Sequence, residues 1–116
     1  VACAAGLAAL KVLVDDNLID NVKAMSPIFE EAVHSLQGSP FVTDIRNYGL
    51  AAGISLEHYP GEPLRRPFEL GLKCLEKGFY VRWGGDTIQL APPFIVNEKQ
   101  IHDLVNAVGE SLHEFK

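Results

Sequence analysis

The residues of this chain that could do chemistry gather in one block, Phe79-Tyr80-Val81-Arg82-Trp83-Gly84-Gly85-Asp86-Thr87-Ile88-Gln89-Leu90-Ala91-Pro92-Pro93-Phe94. It reads as two short strands joined by a glycine turn, with one arginine on the first strand and a proline pair leading into a helix. A guanidinium is permanently charged and presents a flat fork of donors that matches a carboxylate. Arg82 is therefore the candidate substrate-binding residue, poised to read an acid. Its plain alternative is an ion pair with an acid such as Asp86. Trp83 is open between stacking, on a substrate or on Arg82, and a place in the core. No other residue is a convincing catalytic group, so the block resembles part of an active site rather than a whole one.

Other candidates carry less. Arg46 stands at the start of an expected turn, where a structural role outweighs a ligand role. The Arg65-Arg66 pair is expected to be solvated charge at a helix start. His34, His58, His102 and His113 have no metal spacing, so no metal site is expected. Walker, Rossmann and GxSxG patterns are absent. Cys3 and Cys74 form no CxxC and read as small buried apolar residues of a reducing compartment, the cytoplasm.

The elements that must hold Arg82 follow from pattern. The chain has 116 residues, 47% hydrophobic and 22% charged, the size and composition of one globular domain. Its net charge of -5 argues against a nucleic-acid backbone as partner. The apolar opening is broken too soon by Lys11, Asp15 and Asp16 for a membrane span. It reads as a helix over about Ala2–Val14, continuing from a larger protein, with a break at Asp15-Asp16-Asn17. Residues 1–15 are thus expected to continue from a missing large domain, and 16–116 to form a small domain.

A second helix is expected from Leu18, Val22, Met25, Phe29, Ala32, Val33 and Leu36. Asp16 is its expected cap, Gly38 its stop and Pro27 the cause of a kink near Ala24. Phe41–Ile45 and Leu50–Leu56 read as a hairpin around Arg46-Asn47-Tyr48-Gly49. A third helix has Pro67 in its first turn, Phe68, Gly71, Cys74 and Leu75 on its inner face, and Gly78 at its end. Phe79–Trp83 and Thr87–Ala91 form the second hairpin, turning at Gly84-Gly85-Asp86. The last helix is capped by Asn97 with Gln100 three residues on. It buries Ile101, Leu104, Val105, Val108, Leu112 and Phe115, each worth roughly 1.5–3 kcal/mol before entropy. The sum is an α+β fold: a small, mainly antiparallel sheet of two hairpins covered by helices on one face.

These residues resemble the C-terminal part of class III pyridoxal-phosphate-dependent aminotransferases, and most of all the omega-amino acid–pyruvate group, β-alanine–pyruvate enzymes included. The similarity runs end to end. It is carried by the Ala-rich opening, Asp44-Ile45-Arg46-Asn47-Tyr48-Gly49-Leu50-Ala51, Arg66-Pro67-Phe68-Glu69 and Ala91-Pro92-Pro93-Phe94. The most specific block is Gly78-Phe79-Tyr80-Val81-Arg82-Trp83-Gly84-Gly85-Asp86-Thr87.

The resemblance implies the small domain of a fold-type I enzyme that moves an amino group from an amine or omega-amino acid to pyruvate. It implies pyridoxal 5'-phosphate (PLP) in the full-length protein and a homodimer or larger assembly. Its partners would be an amino donor, a keto acid and the missing large domain. It implies that Arg82 grips the substrate carboxylate and swings aside for an apolar donor. Lys11, Lys23, Lys73, Lys77, Lys99 and Lys116 match no Schiff-base position. The chain alone is then expected to contain no catalytic or cofactor-binding residue and to be inactive. Another class III aminotransferase, an aminomutase, a free-standing acid-binding domain and a structural module remain the alternatives.

Overall fold

The computed structural model describes residues 1–115. Four helices and four strands follow in the order α1 (Ala2–Asp15), α2 (Leu18–His34), β1 (Val42–Tyr48), β2 (Ala51–Leu56), α3 (Arg65–Glu76), β3 (Arg82–Gly84), β4 (Thr87–Leu90) and α4 (Glu98–His113). The strands form one sheet in the order β1-β2-β4-β3, and every pairing is antiparallel. Two hairpins lie side by side, as expected, joined through β2 and β4.

The break after α1 has a specific form. Asp16, the expected cap of α2, instead closes α1: its backbone N–H donates to the Val12 carbonyl at 3.0 Å, and that of Asn17 donates to the Val14 carbonyl at 3.2 Å. Asn17 precedes α2 at φ 50, a left-handed conformation that Asn tolerates better than most side chains. The helix α2 runs unbroken through Pro27, and the Ser26 hydroxyl donates to the Val22 carbonyl at 2.6 Å. Asn21 ties α2 to the segment before α4 by donating to the carbonyls of Phe94 at 2.7 Å and Val96 at 3.0 Å. The helix α1 buries no residue.

The first hairpin is longer than expected. Tyr48 pairs with Ala51, so the loop is only Gly49-Leu50, and Arg46 and Asn47 are strand residues rather than turn residues. Gly49 takes φ 55 at the first loop position, where such short loops favour glycine. The strand starts at Val42 and not Phe41, because Phe41 sits at φ 66, outside the extended region.

The second hairpin is shorter than expected. Gly78 ends α3 at φ 89, and the N–H groups of Gly78 and Phe79 bond the carbonyls of Leu75 and Cys74. This is the paired closure of a Schellman end. The Phe79 N–H is spent on the helix end, and pairing begins only at Arg82. Gly84 pairs with Thr87, leaving Gly85-Asp86 as the loop, with Gly85 at φ 60.

The core lies between the sheet and the helices α2, α3 and α4. Phe29, Val33, Ile54, Leu70, Ile88, Ile101, Val108 and Leu112 are each fully buried there. The α4 stripe buries Ile101, Val105, Val108 and Leu112 as expected, whereas Leu104 is only half-buried and Phe115, also half-buried, lies beyond the helix end. The α4 cap is reciprocal, the Gln100 N–H donating to Asn97 at 2.9 Å and the Asn97 N–H to Gln100 at 3.1 Å. The inner face of α3 is rotated from expectation. Arg66, Pro67, Leu70, Gly71 and Cys74 are buried, while Phe68 is 47% and Leu75 53% exposed. Gly71 faces inward as expected, and the ring of Trp83 lies against its backbone.

Candidate substrate-binding face

Alternation along the strands divides the sheet into two faces. On the helix side, Ile45, Ile54, Ile88 and Trp83 stand in one row across all four strands. On the other side, one row is Arg46, Gly53, Gln89 and Arg82, and the next is Asp44, Ser55, Thr87 and Gly84. The second face carries no helix. Strand pairing thus brings Arg46 and Arg82, far apart in sequence, onto one surface.

Arg46 is held in place. Its guanidinium donates to Asp44 at 2.7 Å, Ser55 at 3.0 Å and Thr87 at 3.4 Å. It crosses Gly53, where a Cβ would stand 3.4 Å from its Cζ. The arginine covers Ser55 and Thr87, which are buried although they face away from the core. Thr87 in turn donates to Asp86 at 2.8 Å. Arg46 therefore has the expected structural role, but from a strand rather than a turn.

Arg82 differs. It is exposed on the edge strand β3 and makes no side-chain hydrogen bond or ion pair among the described residues. Asp86, the acid nearest in sequence, is engaged by Thr87, and Asp44 is paired with Arg46. The remaining arginines are committed elsewhere. Arg65 pairs with Glu62 at 3.1 Å and Glu69 at 2.8 Å, and the hydrogen bonds to Glu69 and then Glu62 push its pKa further up.

Arg66 is not the solvated charge expected. It is 5% exposed, with its guanidinium 3.6 Å from the ring centre of Phe41 and 4.2 Å from that of Tyr59. Its Nε donates to the Glu57 carbonyl. Aromatic faces attract a cation and make this burial tolerable. No local signal in the sequence could have found it, because Phe41 and Tyr59 come from separate loops.

Trp83 points to the opposite face from Arg82. Its ring packs on Gly71 and meets Phe68 edge-on at 5.7 Å. Of its possible positions, the structure selects the partly buried one beside α3, and it does not stack on Arg82. Beyond the end of β4, a groove of about 360 Å³ is lined by residues including Phe79, Tyr80, Gln89, Pro92 and Leu104.

A PLP site needs a lysine that can be unprotonated, typically one desolvated in an apolar pocket. The described lysines are all ion-paired. Lys11 pairs with Asp15, Lys23 with Asp20, Lys73 and Lys77 with Glu114, and Lys99 with Asp103. For Lys77 the hydrogen bond to Glu114 raises the pKa, the wrong direction for a nucleophilic amine. These residues do not fit a covalent PLP site. Lys116 lies outside the described residues. Both cysteines are free; Cys74 is buried as expected, whereas Cys3 is exposed because it lies on α1, which buries no residue, and burial pushes the Cys74 thiol up. Among the described residues there is no group of three or more His, Cys, Asp or Glu that could hold a metal, and no helix long and apolar enough to cross a membrane.

The described residues thus form a small α+β fold with one unengaged arginine, Arg82, on an open sheet face. Comparison with known proteins gives its class. The family model for class III aminotransferases matches residues 1–112, and the chain belongs to that family, whose members are PLP-dependent. It is 50% identical over 113 residues to a beta-alanine–pyruvate aminotransferase of Pseudomonas aeruginosa, covering 97% of this chain and 25% of that protein. It is 46% identical over 114 residues to an omega-amino acid–pyruvate aminotransferase of Pseudomonas putida, covering 98% of this chain and 25% of that protein.

Among solved structures, an adenosylmethionine-8-amino-7-oxononanoate aminotransferase of Methanocaldococcus jannaschii superposes with a TM-score of 0.88 at 33% identity. It covers 97% of this chain and 27% of that one. The chain therefore spans about a quarter of the length of the curated relatives it matches.

Proposed function

We propose that this chain is the C-terminal small domain of a PLP-dependent transaminase acting on an omega-amino acid or amine with pyruvate, and that Arg82 receives the substrate's carboxylate. The observation that carries this reading is the state of Arg82: an exposed, unpaired guanidinium on a face where the other cation and both acids are already bonded. A carboxylate arriving there gains a bidentate, charge-assisted pair without first breaking an internal one. An edge-strand side chain beside Gly84 and Gly85 also has room to move away when the donor carries no acid.

The division of labour follows from the lysines. PLP supplies the electron sink of amino-group transfer when bound, and its lysine and phosphate ligands belong to the remaining three-quarters of the relatives' length. This segment orients the substrate. Residues 1–15 would enter from that larger domain, and the assembled protein would be a cytoplasmic homodimer or larger. The segment alone is inactive on this reading.

The test is pyruvate-dependent alanine formation from β-alanine by the parent protein, alongside the isolated 116-residue chain. Activity in the parent and none in the chain is the expected result. A parent that binds no PLP and transfers no amino group would leave only a shared fold. A borohydride-fixed PLP adduct on one lysine of the isolated chain would overturn the division of labour.

A further inference from the structure

We propose that Gln89 is a second side chain that reads the substrate carboxylate, beside Arg82. The inference rests on the proposed role of Arg82 and adds a residue to it. Gln89 is paired directly with Arg82 across β3 and β4, and residues opposed in this way carry Cβ atoms about 4.5–5.5 Å apart. Both stand on the helix-free face of the sheet.

The direction of the Gln89 side chain is marked by a glycine. A Cβ built on Gly84 would lie 2.9 Å from Nε2 of Gln89. The carboxamide therefore extends over β3, on the same face as Arg82 and two residues along the same strand. Gly84 leaves the space that it occupies; any larger residue there would displace it.

The bonding of the surrounding residues singles out this pair. In the two central rows of the open face, Arg46, Asp44, Ser55 and Thr87 are bonded to one another, and Thr87 extends the network to Asp86. Gly53 and Gly84 have no side chain. Gln89 and Arg82 remain as the two polar side chains with no side-chain hydrogen bond among the described residues, and they are neighbours. A carboxylate has two oxygens and about four lone-pair directions. The guanidinium fork can take one edge, and the amide N–H groups of Gln89 can take a remaining lone pair. A neutral amide adds a directed donor without a second positive charge, so it sharpens recognition of an acid while leaving amine donors unaffected.

The experiment uses the full-length holoenzyme and two donors, β-alanine and butylamine, with pyruvate as acceptor. Gln89→Leu keeps the bulk and removes the donor. It is expected to raise the KM for β-alanine about fivefold to tenfold, the loss of a hydrogen bond to a charged partner at a wet site, and to leave kcat/KM for butylamine within about twofold. Gln89→Glu is expected to raise the β-alanine KM further, because its carboxylate would both repel the substrate and occupy Arg82.

Equal losses for both donors, or no change in either variant while Arg82→Ala still loses β-alanine, would overturn the role of Gln89 and leave that of Arg82 standing. If Arg82→Ala itself keeps β-alanine, the underlying reading falls and this inference falls with it.

Discussion

The ring of Trp83 rests on the backbone of Gly71: a Cβ added to Gly71 would stand 2.6 Å from Cζ3 and 2.7 Å from Cε3 of the indole. This contact docks β3 on α3 and so fixes the strand that carries Arg82. Arg82 and Trp83 alternate, one outward and one inward, so the inward contact orients the outward side chain.

Gly71→Ala should therefore be costly. Real side chains do not approach this closely, and both neighbours are stiff, a helix backbone and an indole. Overpacking of this kind typically costs about 1–3 kcal/mol. Thermal unfolding followed by Trp83 fluorescence, the single tryptophan of the chain, would read both the loss of stability and the altered ring environment. An unchanged melting curve would mean that β3 docks in some other way.

Arg66 supports the N-terminal end of α3. Its guanidinium is enclosed by Phe41 and Tyr59 and donates to the Glu57 carbonyl. Arg66→Met keeps the apolar stem but loses the cation and the donor, for an expected cost of about 1–3 kcal/mol. Arg66→Lys should recover only part of it, because an ammonium lacks the flat surface that stacks between two rings. Urea denaturation of the two variants would rank them, and equal stability of Arg66→Met and the parent sequence would refute the stacking account.

The ends of α3 and α4 are tied by charge, with Lys77 donating to Glu114 at 2.7 Å and Lys73 at 3.2 Å. Glu114 is lowered from its ordinary 4.5 first by the Lys77 hydrogen bond and then by that of Lys73. A depressed carboxylate contributes stability that is complete above the ordinary value and is lost as pH falls through the depressed one. Lys77 is raised from its ordinary 10.5 by the Glu114 hydrogen bond, so its share is complete below that value and is lost as pH rises through the higher one. Glu114→Gln should flatten the acid limb of the stability curve below pH 4.5. Added salt should shrink the difference, since these groups are at the surface.

Local chemistry made much of this architecture legible in the sequence. Asn97 and Gln100 signal their cap within four residues, and the α4 stripe needs only its own period. Gly78 marks a helix end, and Gly84-Gly85-Asp86 marks a turn to within one residue. Features set by distant partners were not legible. Asn47 and Gly49 both suit a turn, and only the pairing of Tyr48 with Ala51 decides that Arg46 belongs to the strand. Gly71 and Cys74 face inward as a helical wheel suggests, but Phe68 and Leu75, which look like core on the same wheel, are exposed, and Arg66, Pro67 and Leu70 are buried instead. The burial of Arg66 depends on aromatic rings from two other loops. The spent acids around Arg82 emerge only once Asp44, Ser55 and Thr87 are aligned across three strands.

The measurement that bears most directly on the central claim is donor discrimination by Arg82→Ala in the parent enzyme, as kcat/KM for β-alanine against butylamine. Loss of a charge-assisted pair worth about 2–3 kcal/mol should lower the β-alanine value about 30- to 150-fold. The butylamine value should stay within about twofold, because that donor has no carboxylate to lose. A variant that keeps β-alanine, or that loses both donors alike, would contradict the assignment of Arg82 as the residue that reads the acid.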